Sequence, residues 1–464
     1  MVRKLAKIPH FLGDVTHWST QITEYLTMPS LKMQVINSIR ELTKNDKEIF
    51  KNSIFVCVQH LLYTSVDLFN ALIYLGAQPN NIFLLGKLYS NNQDVFNILS
   101  QKGLNLIQSL PQTKFGYFQE SFENDILRLW SKVLEHLKYR NIEKVIILDD
   151  GGFCLKDAPS QILNDYPVMG IEQTSSGLVK IGKNKLAFPL IEVASSAAKQ
   201  HVESPMIAKS VEEKLVDKLP LHGTRLTCGV VGLGVIGKAA TEKLLNLGHT
   251  VYTYDRHSEK NIALPGAHKV NNVSEILTLS DYIFGCAGED ILKNLNIRDM
   301  IKSNKFFISC SSQDKEFRSL LLECSTIDSN DVVDPLSIAE LKLSDTITLK
   351  ILRGGFPINL DNTGYAVKPN DIQMTRGLLL AALIQAALLT NHRPQGIPKH
   401  IMLCPLFQNF VVNEWRPFGS SYAVDNPIIN NFSNLDWIKQ NSGGEAFGQA
   451  YTAHLFNKAF CVTQ

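Results

Sequence analysis

Along most of the chain, short apolar runs alternate with longer amphipathic stretches. Ser53-Ile54-Phe55-Val56-Cys57-Val58 is an apolar run of strand length, the pattern of a strand buried on both faces. Thr64 to Leu75 then repeats with helical spacing and stops at Gly76, a residue suited to the left-handed turn after a helix. Asn81-Ile82-Phe83-Leu84-Leu85 and Val145-Ile146-Ile147-Leu148 read as further strands, the latter ending in Asp149-Asp150-Gly151-Gly152. Strands alternating with helices predict a parallel sheet covered on both faces, with ligands beyond the carboxyl ends of its strands. His60 and Asp150 both fall just past predicted strand ends.

The alternation resumes over 226–352. Cys228-Gly229-Val230-Val231 is a buried-strand pattern that runs into Gly232-Leu233-Gly234-Val235-Ile236-Gly237 and then a helix. A second strand, Thr250-Val251-Tyr252-Thr253-Tyr254, ends at Asp255, and Asp281 to Cys286 and Lys305 to Ser309 read as later strands. Gly354-Gly355-Phe356-Pro357 breaks the pattern before a long helix, Asn370 to Thr390. Its most apolar part, Gly377 to Thr390, is too short to span a membrane and reads as a core helix. From Asn391 onward, Asn, Pro and aromatics dominate and periodicity assigns no element.

Composition narrows the class. The 464 residues are 45% hydrophobic and 19% charged, which suits two or three packed domains. A net charge of +2 gives no global field toward nucleic acid or anionic membrane. Eight cysteines lie too far apart for a Cys-x-x-Cys metal or redox motif, and no metal site is expected. Several sit in apolar runs, as reduced cysteines do in a cytoplasmic protein. Arg3, Lys4 and Lys7 are not followed by a long apolar stretch, so no signal peptide is expected.

The glycine segment carries the clearest chemistry. Gly232 allows the tight turn, Gly234 lets backbone approach a pyrophosphate, and Gly237 lets helix pack on strand. Val235 and Ile236 open the helix whose free N–H groups face phosphates. Asp255, 23 residues past Gly232, can accept both ribose hydroxyls and favours NAD, although Arg256 beside it suits a 2′-phosphate. Ala287 and Gly288, after the Asp281–Cys286 strand, are assigned to the same crevice.

Several further segments together resemble S-adenosylhomocysteine hydrolases. Met28-Pro29-Ser30-Leu31 is similar to that family's Met-Pro-Gly-Leu, and His60-Leu61-Leu62-Tyr63-Thr64 with Leu75-Gly76-Ala77 to its His-Met-Thr-Val-Glu helix and Leu-Gly-Ala end. Asp149-Asp150-Gly151-Gly152 matches its Asp-Asp-Gly-Gly, and Gly170 to Gly177 is similar to its Gly-Ile-Ser-Glu-Glu-Thr-Thr-Thr-Gly, one residue shorter. Lys209-Ser210 is taken as the start of its Lys-Ser-Lys-Phe-Asp segment, and Lys238 as its trailing fingerprint lysine. The resemblance spans residues 25 to 390 and is that of a distant relative.

It implies an α/β fold of two doubly wound parallel-sheet domains, a discontinuous substrate domain and an inserted Rossmann NAD-binding domain. The segments would be 1–208, 209–358 and 359–464, with hinges near 195–209 and 353–359. It also implies a reaction in which NAD oxidises the nucleoside 3′-hydroxyl, a base removes the C4′ proton, the 5′ thiol leaves, water adds and the ketone is reduced again. Residue by residue, Asp150 would be the C4′ base, His60 the acid–base near the 5′ position, and Lys209 would help oxidation at the 3′-hydroxyl. Glu213 stands for a family Asp. Thr174, Ser175 and Ser176 would touch the cofactor, and Gln173 and Asn359 the substrate. A homo-oligomer and a small nucleoside substrate are expected.

Other family features are absent. Gln173 replaces a substrate-binding Glu, Ser311-Ser312-Gln313-Asp314 lacks the family's histidine, and 359–369 lacks a second one. Leu62 replaces a Thr, Lys214 an Asn, and Ala450 to Gln464 lacks the Lys and Tyr that cover a neighbour's NAD. Singly, each motif has an ordinary structural reading, such as a turn or a solvated lysine. The expectation is an adenosylhomocysteinase-like NAD enzyme acting on S-adenosylhomocysteine or a related nucleoside thioether. The alternative is a non-catalytic NAD- or nucleoside-binding regulator. A third reading, a 2-hydroxyacid-type dehydrogenase, needs a late Arg, acid and His, of which Arg353 alone is evident.

Overall fold

The computed structural model describes residues 33–448 apart from 111–113, 139–140, 183–185, 219–224, 258, 262, 325–333, 362 and 393–394. Met28 to Leu31 and Ala450 to Gln464 lie outside the described residues.

Two seven-stranded sheets form. The first contains β1 (Ser53–Leu61), β2 (Ile82–Asn91), β3 (Asn105–Ile107), β4 (Lys144–Asp149), β5 (Val168–Glu172) and β6 (Leu190–Glu192). The second contains β7 (Thr227–Val231), β8 (Thr250–Tyr254), β9 (His268–Lys269), β10 (Tyr282–Gly285), β11 (Lys305–Ser309), β12 (Ala339–Lys342) and β13 (Thr348–Ile351). The chain then returns to the first sheet as β14 (His400–Met402), which pairs parallel to β6.

The strand orders are β14-β6-β5-β4-β1-β2-β3 and β12-β13-β11-β10-β7-β8-β9. All neighbours are parallel except β12 and β13. Both are doubly wound, because the chain runs outward from β1 to β3 and from β7 to β9, then crosses to the other side. The order reverses between β1 and β4, and between β7 and β10. Adjacent loops diverge there and leave a crevice. The expected α/β class with a Rossmann-type second domain is what forms.

The apolar runs become the buried strands: β1 is buried at every position but His60, and β4 at all six. Helix Phe118–Leu137 covers one face with Phe122, Ile126, Leu129, Trp130 and Val133. Helix Pro369–His392 packs on β4, β5 and the helices Gln34–Leu42, Tyr63–Tyr74 and Pro405–Trp415. Residues Pro369–Asn391 are long and apolar enough to cross a membrane, yet their apolar window is wholly buried in protein. Helix Tyr63–Tyr74 ends as expected, with Gly76 left-handed at φ +101°.

Two boundaries differ from the sequence expectation. β2 runs six residues past Leu85 to Asn91, because Lys87 is buried rather than exposed. The expected break between 208 and 209 falls inside helix Ser204–Lys218.

Candidate functional site

The first crevice is built from the ends of β1, β2, β4 and β5. His60 lies in β1 beside a register shift between Gln59 and Leu61, rather than past the strand as expected. Asp150 follows β4 directly and is 2% exposed. Gly151 and Gly152 adopt φ +110° and +70°. That turn presents two N–H groups to Glu172, at 3.1 and 2.9 Å.

Asp150 is the hub. Lys87 Nζ pairs with its Oδ1, and Gln173 Nε2 donates to its Oδ2. His60 Nε2 lies 3.2 Å from the same Oδ2. Burial alone would raise this carboxyl, but Lys87 and His60 hold it well below the usual carboxylate range. Burial lowers His60, only partly offset by Asp150. A neutral His60 donates Nε2–H to Asp150 and accepts at Nδ1 from the Ser90 hydroxyl. Lys87 would be lowered by burial, but Asp150 outweighs this and keeps it charged.

The network extends away from Asp150. Gln59 Nε2 donates to Gln173 Oε1 at 3.0 Å, and Arg376 Nη1 to Gln59 Oε1 at 3.3 Å. Behind the hub, burial pushes Asp149 up to about 6, and burial with Asp149 raises Glu172 further above its ordinary range. Thr174 donates its hydroxyl to Glu172 at 2.6 Å and caps helix Ser175–Ile181 by accepting from Gly177 N at 3.1 Å. Thr174, Ser175 and Ser176 therefore open a helix.

Lys209 and Glu213 are not brought to this cluster. Lys209 pairs with Glu212 at 2.7 Å, and Lys243 of helix Val235–Asn246 meets the same Glu212 at 3.2 Å. Glu213 pairs with Lys368 in an exposed contact. The same Lys-x-x-x-Glu spacing occurs ten residues earlier in the chain, at Lys199 and Glu203. These two form the more enclosed pair, with side chains 13% and 8% exposed, and Glu203 accepts from Thr375 at 2.9 Å beside Arg376. Spacing alone cannot choose between Lys199 and Lys209; burial does. Lys87 also escapes a reading of the sequence, because a lysine flanked by Gly86 and Leu88 carries no signal for burial.

The second crevice contains the glycine segment. A Cβ on Gly232, at φ +97°, would lie 2.5 Å from the Cys286 carbonyl carbon, and one on Gly237 1.8 Å from Gly232 O. A Cβ on Gly234 meets nothing within 4 Å. Packing therefore requires the first and third glycines, while the second faces open space of the kind a pyrophosphate needs. Asp255 accepts from Leu233 N at 2.7 Å and from His257 N at 2.9 Å. Arg256 turns to Glu289.

Glu316 lies under the β10 loop. Its Oε1 accepts from Gly288 N and from the Ser311 hydroxyl, both at 2.5 Å, and its buried Oε2 has no partner among the described residues. Burial pushes it up to about 7. The open approach at Gly234, the acid at Asp255 and this orphaned oxygen fit a dinucleotide.

The two sheet domains touch through residues near these strand ends. Asp314, past β11, accepts from Phe118 N at 3.3 Å. Tyr89 of β2 stacks on Phe356, ring centroids 4.9 Å apart. Asn359 is buried just beyond, where the chain leaves the second domain. Tyr89 Oη, Gln313 Oε1 and Asp149 Oδ1 are buried without hydrogen-bond partners among the described residues.

Residues 198–303 match the family described as D-isomer specific 2-hydroxyacid dehydrogenase, NAD binding domain. An uncharacterized protein of Mycobacterium tuberculosis, present in strains CDC 1551 and H37Rv, is 27% identical over 351 residues, covering 75% of this chain and 67% of that protein. Among solved structures, a dipicolinate synthase chain of Bacillus halodurans is 13% identical over 60% of this chain and 88% of that chain, with a TM-score of 0.35. An L-alanine dehydrogenase is 13% identical over 75% and 94%, with a TM-score of 0.34. The second sheet is a Rossmann-type NAD(P)-binding domain.

Proposed function

We propose that this chain is an NAD-dependent enzyme that oxidises a secondary hydroxyl of a ribosyl nucleoside, S-adenosylhomocysteine or a related nucleoside thioether, held over Asp150. The observation that carries this reading is the presence of two switch points in one chain, one with the dinucleotide glycines and one with the His60–Asp150–Gln173 cluster. The matched family covers the cofactor domain alone, so the substrate reading rests on the first domain's residues and their resemblance to adenosylhomocysteinases. The chemistry that bound NAD would supply is hydride acceptance; Gly232, Gly234, Gly237 and Asp255 would hold it. Lys199, paired with Glu203, takes the role expected of Lys209 at the reacting hydroxyl. Asp150, kept ionised, accepts hydrogen bonds from substrate hydroxyls. Asn359 and Gln173 would contact the substrate.

The elimination half of the family's cycle is disfavoured. A carboxylate neutralised by Lys87 and held far below its ordinary pKa is a weak base for the C4′ proton. The same ion pair favours a second reading, a non-catalytic NAD- or nucleoside-binding regulator.

The test starts with nucleotide released from denatured, purified protein. S-adenosylhomocysteine is then added to the NAD-loaded protein, and reduced nicotinamide is followed by absorbance and adenosine by chromatography. Reduction without adenosine release is expected. Adenosine release abolished by Asp150→Asn would show that elimination also runs. Bound NAD that no ribonucleoside reduces would favour the regulator, and absence of NAD binding would sink both readings.

A further inference from the structure

We propose that Arg376 holds a carboxylate of the substrate in the first crevice, so that the substrate class is a hydroxy compound with its hydroxyl at Asp150 and a carboxylate that reaches the guanidinium. This rests on the reading that Asp150 receives substrate hydroxyls, but not on the redox step.

Arg376 belongs to helix Pro369–His392 and is 4% exposed. A continuous row of hydrogen bonds ties it to the hub. Its Nη1 donates to Gln59 Oε1 at 3.3 Å, and Gln59 Nε2 donates to Gln173 Oε1 at 3.0 Å. Gln173 Nε2 then donates to Asp150 Oδ2, which His60 Nε2 meets at 3.2 Å. An arginine can only donate and an ionised Asp only accept, so both amides are fixed in direction between them. Arg376 and Asp150 therefore stand two glutamine amides apart in one crevice. The His60 side chain, 19% exposed, gives the row an end that solvent reaches.

The row leaves one cation unanswered. Asp150 is paired with Lys87, and Glu203 with Lys199. Arg376 has no ion pair among the described residues; its acceptors are neutral, Gln59 and, from Nε, the Thr64 hydroxyl at 3.4 Å. Both bonds are long for N–H···O contacts. Nη2 has no acceptor among the described residues and is not closed off from water. Burial draws the guanidinium down to about 10 against the pull of Asp150 and Glu203, which leaves it charged at neutral pH. Thr64 lies in the first turn of helix Tyr63–Tyr74, which has neither a side-chain cap nor an acid there. The positive end of that helix faces the same place. A buried cation without an acid of its own gains most from an anion that it grips through parallel N–H bonds. One unanswered positive charge matches a monoanion, and the planar fork matches a carboxylate. S-adenosylhomocysteine carries such a group on its amino-acid arm, whereas a simple nucleoside does not.

The experiment titrates NAD-loaded protein with acetate and, separately, inorganic phosphate at constant ionic strength. In ¹⁵N-arginine-labelled wild-type protein, acetate should shift the Arg376 Nε–H signal saturably and bind more tightly than phosphate. Affinity for acetate should fall about tenfold or more in Arg376→Gln. Arg376→Lys, which keeps the charge without the fork, should retain more of it. The wild-type signal decides the matter even where a variant does not fold. A signal indifferent to both anions, tighter binding of phosphate, or acetate binding that Arg376→Gln leaves intact would overturn the proposal. Acetate binding at Arg376 with no nicotinamide reduction by S-adenosylhomocysteine would sustain the subsite while removing the redox reading. Reduction by S-adenosylhomocysteine with KM unchanged in Arg376→Gln would keep the redox reading and overturn the subsite.

Discussion

At the scale of single residues, the Lys87–Asp150 pair governs the first crevice. Removing one partner of a buried ion pair leaves an uncompensated charge, so Lys87→Met should lower stability by about 3–5 kcal/mol, read by denaturant unfolding. The Lys87→Met/Asp150→Asn double variant should recover most of that loss. Lys87 also holds His60 down, so Lys87→Met should move the His60 imidazole midpoint upward in an NMR titration. In the intact protein the folded His60 pKa lies below its ordinary 6.5. The unfolded chain therefore binds the extra proton first, and His60 removes stability as pH falls below 6.5. His60→Gln should flatten the thermal midpoint on that acid side. Asp150 was legible from its strand-end position and the Asp-Asp-Gly-Gly turn. Lys87 was not, since a buried lysine is justified only by an acid that reaches it from another strand.

At the scale of elements, the strand–turn–helix of the second domain distinguishes three glycines that look alike in sequence. Gly237→Ala would drive a Cβ into the Gly232 carbonyl and should lower both the melting temperature and NAD affinity. Gly234→Ala meets nothing in the free protein, so it should leave the melting temperature unchanged and weaken NAD alone. Equal destabilisation by the two would contradict this division. Glu316 adds a pH signature to the same crevice. With its carboxyl pushed up to about 7 by burial, the folded state holds a proton that the unfolded state has already released. Its contribution therefore declines as pH rises from the ordinary glutamate range toward 7, and Glu316→Gln should abolish that decline in thermal denaturation. The helices were legible where a turn residue marked their ends, as at Gly76. The extension of β2 and the helix after Thr174 were not, because short polar segments take their form from what packs on them.

At the scale of the whole molecule there are two doubly wound sheets, and the second sheet lies between two parts of the first in the chain. The junction near 353–361 is tense and charged: Arg353 is left-handed at φ +53°, and Lys214 pairs with Asp361 at 2.8 Å. A ligand bound only by the folded state should stabilise the protein by mass action. NAD at about a hundredfold its Kd should add about 2.7 kcal/mol, read as a concentration-dependent rise in melting temperature. No rise at any NAD concentration would remove the cofactor reading.

Local pattern determined the α/β class, the buried strands, the core helix and the dinucleotide turn, because each depends on residues within one element and its next neighbour. Tertiary structure decided which lysine faces which acid. Lys199 and Lys209 carry the same spacing to an acid, yet the Lys199 pair is the more enclosed of the two. Lys87, Gln173 and His60 are separated by tens of residues and meet at Asp150 because β1, β2, β4 and β5 end side by side. Charge pairing across strands is a property of the sheet order, and that order is set by packing the chain as a whole.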